Sequence, residues 1–241
     1  MVKISAGCYD LNKWLKGGYE SGVITMIAGS PGSGKTNFTL LVSCSQAKKG
    51  NKVIFIDTEG GFSSERVKQI SEENYEETMK NILLLEPTSF DEQKKIFSKL
   101  LDKIKENHVK LIVVDGMAML YRLELGEVVK SKEDDNVRQI NREVAKQMRM
   151  LAEIARKKEI AVIITNQVYT DFLNEDDWKK GTERKTNIVG GDLFKYWSKC
   201  IIELKNDSGK RKASLLKHRS IKEKDLNFEI KDKGIFKKGF L

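Results

Sequence analysis

Eight residues near the start of the chain, Gly29-Ser30-Pro31-Gly32-Ser33-Gly34-Lys35-Thr36, follow the spacing Gly-x-x-x-x-Gly-Lys-Ser/Thr. That spacing suits phosphate chemistry. Glycines let backbone N–H groups turn inward around a phosphate, a following helix presents its positive end, and the lysine carries a mobile ammonium to the β and γ oxygens of a nucleoside triphosphate. Thr36 then offers a hydroxyl to magnesium, so ATP with Mg2+ is the expected ligand pair. The alternative, a glycine-rich turn without a ligand, is disfavoured by the apolar run before the loop and the helical pattern after it.

Two further carboxylates stand where such a loop needs them. Leu111-Ile112-Val113-Val114-Asp115 is a hydrophobic strand pattern ending in an acid, which places Asp115 to complete the magnesium shell across from the loop. Asp57-Thr58-Glu59 closes another apolar run, and a carboxylate there reaches the water that attacks the γ-phosphate in line. Glu59 is the better base candidate. Its competing use is as a cap on a helix starting near Ser63.

These side chains require strands that end side by side. Apolar runs at residues 23–28, 53–57, 82–85, 111–115 and 161–165 read as central parallel strands covered on both faces. Helical periodicity fills the intervals at residues 36–49, 64–73, 90–107 and 136–158. The alternation predicts an α/β fold with a mainly parallel central sheet flanked by helices, built as a single domain over residues 1–241. Past Thr165 the chain turns polar and irregular from 169 to 189, and loops of that length carry function or disorder. Strand-like segments at 200–205, 213–218 and 226–230, separated by turn signals at 206–209 and 222–225, predict an antiparallel C-terminal extension.

Composition narrows the setting. No apolar run approaches the length needed to span a bilayer, which leads to the expectation of a soluble, cytoplasmic protein. Cys8, Cys44 and Cys200 are far apart and the chain has only two histidines, which argues against a zinc site or a disulfide framework. A net charge of +9 favours a polyanionic partner, although densely charged proteins of hot environments reach similar values.

Taken together, the motifs resemble the RecA-type recombinase core, and within it the archaeal RadA and RadB lineage. The segment Asp57-Thr58-Glu59-Gly60-Gly61-Phe62-Ser63-Ser64-Glu65-Arg66 looks like the recombinase Asp-Thr-Glu-Gly-Thr-Phe-Arg-Pro-Glu-Arg, with substitutions at Gly61, Ser63 and Ser64. Ile164-Thr165-Asn166-Gln167-Val168 matches the strand end that opens the second DNA-binding loop, Gly190-Gly191 matches the pair that closes it, and Lys217-His218-Arg219 has a family counterpart. By this resemblance Glu59 is the catalytic carboxylate, Gln167 senses the γ-phosphate and Arg66 packs near the adenine. The resemblance also implies that Lys217 and Arg219 reach the γ-phosphate held by a neighbouring subunit. Read by periodicity, the pair alternates with His218 along a strand and shares one face, an exposed basic edge being the alternative.

The family likeness implies an accessory protein of homologous recombination and DNA repair, with weak or regulated ATPase activity. Its implied partners are DNA, single-stranded in particular, and recombinase or other repair proteins. The core begins almost at residue 1, so the N-terminal helix-hairpin-helix domain of full recombinases is expected to be missing, as in the short RadB form. No phenylalanine has alanine three residues later, so self-assembly would proceed without the Phe-x-x-Ala segment of the full-length enzymes. The region matching the first DNA loop, residues 123–135, sets Lys130 and Lys132 against Glu124, Glu127, Glu133, Asp134 and Asp135, which is poor composition for tracking phosphates. In the second loop Lys179, Lys180, Arg184 and Lys185 can neutralise phosphates while Tyr169, Phe172 or Trp178 stacks on bases; burial of those rings is the competing reading.

Two other functions compete. A KaiC-like ring-forming ATPase shares the core fold, but Thr58-Glu59-Gly60 followed by Phe62 and Glu65-Arg66 looks recombinase-like. A binding module in which nucleotide only stabilises the fold would not need Glu59 beside Lys35, Thr36, Asp115 and Gln167.

Overall fold

Alternate residues of the central strands feed two separate cores. Val53 and Phe55 enter one, while Ile54 and Ile56 enter the other, as expected of strands buried on both faces. The computed structural model describes residues 2–105, 108–131, 134–170 and 186–239. In chain order the elements are β1 (Lys3–Ile4), α1 (Tyr9–Trp14), β2 (Tyr19–Glu20), β3 (Ile24–Gly29), α2 (Lys35–Ala47), β4 (Lys52–Asp57), α3 (Ser64–Ser71), α4 (Tyr75–Lys80), β5 (Ile82–Leu85), α5 (Phe90–Ser98) and α6 (Leu100–Lys105). There follow β6 (Val109–Asp115), α7 (Met119–Ser131), α8 (Asp134–Lys158), β7 (Ala161–Thr170), β8 (Thr186–Ile188), α9 (Asp192–Trp197), β9 (Ser198–Asp207), β10 (Lys210–Lys217), β11 (Lys224–Lys231) and β12 (Gly234–Lys237).

The main sheet runs β12-β11-β10-β9-β3-β7-β6-β4-β5, with β8 added antiparallel to β7. From β5 to β9 every pairing along that path is parallel, and from β9 to β12 every pairing is antiparallel. The α/β expectation with an antiparallel C-terminal extension therefore holds. One core packs α1, α2 and α3 against the sheet through Leu11, Phe38, Leu41 and Val67. The other covers the opposite face with α5 and α8 through Phe97, Val144, Met148 and Leu151.

Several sequence-based boundaries change. The helix expected at 90–107 divides at Lys99, where Lys99 N–H bonds three residues back to the Ile96 carbonyl and tightens the turn. The helix expected at 64–73 stops at Ser71, and Glu72 takes a positive φ of 51° before α4 begins. Residues 123–131, assigned to a DNA-facing loop, belong to α7, because Leu120 and Tyr121 anchor that helix in the second core. β7 continues beyond Thr165 to Thr170 and pairs with β8. No helix among the described residues is long and apolar enough to cross a membrane.

Candidate functional site

The register of the parallel strands puts the chemistry in one row. Gly29 at the end of β3 lies opposite Gln167 of β7, and Asp57 at the end of β4 lies opposite Asp115 of β6. Ligands of open α/β sheets bind in the crevice beyond such carboxyl ends.

The phosphate loop bridges β3 and α2. Its last glycine, Gly34, has φ 108°, a left-handed conformation that side chains resist. Gly34 is also the N-cap of α2, so no side chain caps that helix, and its first turn contains no acid. The other helices near the site differ: Ser63 accepts from Arg66 N–H at the start of α3, and Ser89 accepts from Glu92 N–H at the start of α5. Neither a capping side chain nor an acid of its own first turn thus neutralises the positive end of α2, which suits a phosphate. Within the loop, Ser33 carries a buried hydroxyl without a protein partner.

Lys35 is buried, and its ammonium donates to the carbonyls of Gly29 at 3.0 Å and Ser30 at 3.2 Å. Burial pushes its pKa below the usual lysine value, while Glu59 and Asp115 pull it back up. Thr36 sits beside Gly61, whose Cα would place an added Cβ 3.2 Å from the Thr36 hydroxyl.

Asp115 is buried. Its Oδ1 accepts from the Thr165 hydroxyl at 2.5 Å, and its Oδ2 lies 3.4 Å from the Thr39 hydroxyl. Burial pushes the carboxyl up to about 6, with the charges of Asp57 and Glu59 adding to the rise, while hydrogen bonds from Thr165 and Thr36 oppose it. Oxygen donors from Asp115 and Thr36 are the hard ligands that magnesium prefers.

Glu59 is exposed, and its Oε1 accepts from Gln167 Nε2 at 3.2 Å. It does not cap α3; Ser63 does. The turn holding Glu59 is organised by Asp57, whose two oxygens accept from Glu59 N–H at 3.1 Å and Phe62 N–H at 2.7 Å. Gly116 closes the other side with φ 90°, and an added Cβ there would come within 2.6 Å of Glu59 Cγ. Thr165 and the turn-forming role of Asp57 went unrecognised in the sequence. The Asp57 signal was available, because a strand-ending Asp bonding the N–H two residues on is an Asx turn.

Arg66 reaches back toward α2. Its Nε donates to Asn37 Oδ1 at 2.8 Å, and its terminal nitrogens donate to the carbonyls of Lys231 and Asp232 in the β11–β12 turn. The guanidinium therefore ties the C-terminal hairpin to the edge of the nucleotide site.

Lys217 and Arg219 do not lie on one strand: a register shift falls between Leu215 and Lys217 and β10 ends at Lys217, so strand alternation does not place the pair. Lys217 Nζ donates to the Lys195 carbonyl in α9, whereas Arg219 pairs with Glu20 in β2. Trp178, Lys179, Lys180, Arg184, Lys185 and Phe172 lie outside the described residues; Tyr169, in β7, is exposed.

The Rad51 family description matches residues 1–238. The chain belongs to the Rad51 family. Within the Rad51 family it is similar to proteins named DNA repair and recombination protein RadB. The one from Methanobrevibacter smithii is 42% identical over 230 residues, covering 93% of this chain and 92% of that protein. Those from Methanosphaera stadtmanae and Methanocaldococcus jannaschii are 38% and 40% identical, covering 94% and 93% of this chain and 92% and 98% of theirs. The chain is thus a RecA-type recombinase paralogue, and the nucleotide-binding ATPase character of the Rad51 family agrees with the row of residues at the strand ends.

Proposed function

We propose that the chain is an ATP-binding, DNA-binding accessory protein of homologous recombination and repair, with weak or regulated ATPase activity. One observation carries the nucleotide half: the uncapped N-terminus of α2 stands beside Lys35, Thr36, Asp115, Glu59 and Gln167 at adjoining strand ends. The backbone amides of residues 32–36 and the Lys35 ammonium hold the phosphates, and Thr36 and Asp115 hold magnesium. Magnesium, when bound, neutralises charge on the phosphate oxygens. Glu59 orients the attacking water and accepts its proton. Gln167, bonded to Glu59 and standing at the mouth of the second DNA loop, links that reaction to what the loop holds. Arg66 forms a wall near the base.

The DNA half rests on the basic and aromatic composition between Tyr169 and Lys185, together with the names of the RadB relatives. Recombinase or other repair proteins are the further partners, and the protein works as one domain in the cytoplasm. Lys217 and Arg219 act toward a phosphate held by a second copy, without a Phe-x-x-Ala segment. The KaiC-like alternative finds no support among the relatives.

Sedimentation of the protein with single-stranded DNA, with and without ATP and magnesium, tests this reading. Co-sedimentation that ATP strengthens is expected. DNA binding that is absent, or indifferent to ATP, contradicts it.

A further inference from the structure

β7 enters the nucleotide row through Thr165 as well as through Gln167. Ile163 packs into the core that α2 covers, so Thr165, two residues further along the strand, takes the same face of the sheet. Asp115 reaches that face in the same way, two residues after Val113 of β6. Both side chains are buried there.

The parallel pairing of β6 with β7 ends at Val114 opposite Ile164. Thr165 continues the tie. Its hydroxyl accepts from Gly116 N–H at 2.7 Å and gives its one proton to Asp115 Oδ1 at 2.5 Å, while its carbonyl accepts from Met117 N–H at 3.0 Å. Three consecutive residues after the β6 core segment are thus bonded to one residue of β7.

A carboxylate by itself turns readily about χ2. A threonine hydroxyl does not wander, because the branched Cβ restricts χ1 and the Gly116 N–H fixes the acceptor side of the oxygen. Held at Oδ1, Asp115 keeps Oδ2 on the side of α2, where Thr39 Oγ1 stands 3.4 Å away and donates to the Thr36 carbonyl at 2.9 Å. The Thr36 hydroxyl also bonds this carboxylate.

We propose that Thr165 is a positioning residue for Asp115, holding one carboxylate oxygen against the turn after β6 so that the other is directed toward α2 and magnesium. The proposal rests on the reading that Thr36 and Asp115 hold magnesium. A hydrogen bond to the far oxygen of a metal-binding carboxylate sets the direction in which the near oxygen is offered. β7 then steadies both carboxylates of the row, Asp115 through Thr165 and Glu59 through Gln167.

Calorimetric titration with ATP, in magnesium and in EDTA, tests this on wild type, Thr165→Val, Thr165→Ser and Asp115→Asn. The readout is the ratio of the two affinities, because damage to the phosphate loop lowers both and cancels. Thr165→Val keeps the shape without the hydroxyl, so its magnesium-free affinity should stay within about twofold of wild type while the ratio falls about tenfold or more. Thr165→Ser keeps the hydroxyl and should restore most of the ratio. A wild-type ratio in Thr165→Val, with the ratio of Asp115→Asn reduced, overturns the proposal and leaves the metal reading standing. An undiminished ratio in Asp115→Asn overturns that reading and the proposal with it. If Thr165→Val loses the cooperative melt of the wild type, Thr165→Ala replaces it, since the smaller side chain leaves room for a water on the Gly116 N–H. The same fall is then expected, and a wild-type ratio again overturns the proposal.

The choice of metal provides a second readout. Magnesium demands nearly ideal octahedral geometry and calcium tolerates irregular geometry, so a misdirected carboxylate should cost magnesium at least about threefold more than calcium. Equal losses for the two ions overturn the proposal, because they mean that Thr165 supports the fold or the charge of the site and not the direction of Asp115.

Discussion

Glu59 and Gln167 touch each other and neither is needed to hold a phosphate, so they separate binding from turnover. Glu59→Gln retains the shape of the side chain while removing its basicity. ATP affinity should stay within about twofold of wild type while single-turnover hydrolysis falls about a hundredfold, the usual scale for a general base. Unaltered hydrolysis would leave Glu59 without a chemical role, since Ser63 already caps α3. Asp115 makes a prediction in pH. Its carboxyl sits at about 6, above the ordinary aspartate value, so the fold binds this proton more tightly than the unfolded chain does. The stability it contributes is present below the unfolded value of about 4 and is lost as pH rises through about 6. Magnesium needs the ionised form and competes with the proton. The enhancement of ATP affinity by magnesium should therefore grow between about pH 5 and 7, and Asp115→Asn should flatten that dependence in calorimetric titrations.

At the scale of elements, what could be read in the sequence follows from how local the cause is. β3, β4 and β6 were legible because strands buried on both faces need continuous apolar runs, and the loop after β3 carries its own spacing. The positions of Lys35, Thr36, Asp115 and Glu59 followed from those strands. The end of β7 was not legible: beyond Gln167 only Val168 still packs against the core, and the strand is held by pairing such as Val168 with Ile188, a contact no local pattern encodes. The bulge before Lys217 was hidden for the same reason, and the strand read as far as residue 218 ends at Lys217, which leaves Arg219 beyond it. β12 pairs with the adjacent β11, and its last residue is also held from a distance by Asp10, which accepts from Lys237 N–H. Gly116 tests how closely β4 and β6 set the turn that carries Glu59. Gly116→Ala introduces a Cβ at φ 90°, 2.4 Å from the Thr58 hydroxyl that bonds the carbonyls of Asp115 and Gly116. A loss of about 1–3 kcal/mol in denaturant unfolding, with slower hydrolysis, is expected. Unchanged stability and turnover would show that the turn tolerates displacement.

On the scale of the whole molecule, the sheet is a platform with the nucleotide row along the carboxyl ends of its central strands and an antiparallel extension continuing the sheet beyond β9. Arg66 ties the β11–β12 turn to α2, and Asn206 in β9 reaches the Gly32 carbonyl at 3.4 Å, so the extension touches the phosphate loop itself. A net charge of +9 spread over this body attracts polyanions in general, and general attraction does not distinguish a nucleotide site from a basic surface. Lys35 does distinguish them, because it is buried within the loop and one charge in a total of +9 barely alters the overall field. The most direct test is calorimetric titration of wild type and Lys35→Ala with ATP and magnesium at physiological ionic strength. The account predicts saturable one-to-one binding by the wild type and a loss of about a hundredfold in the variant, the scale of the charge-assisted bonds removed. Equal affinity in the two proteins would contradict it and place whatever ATP binds on the basic surface.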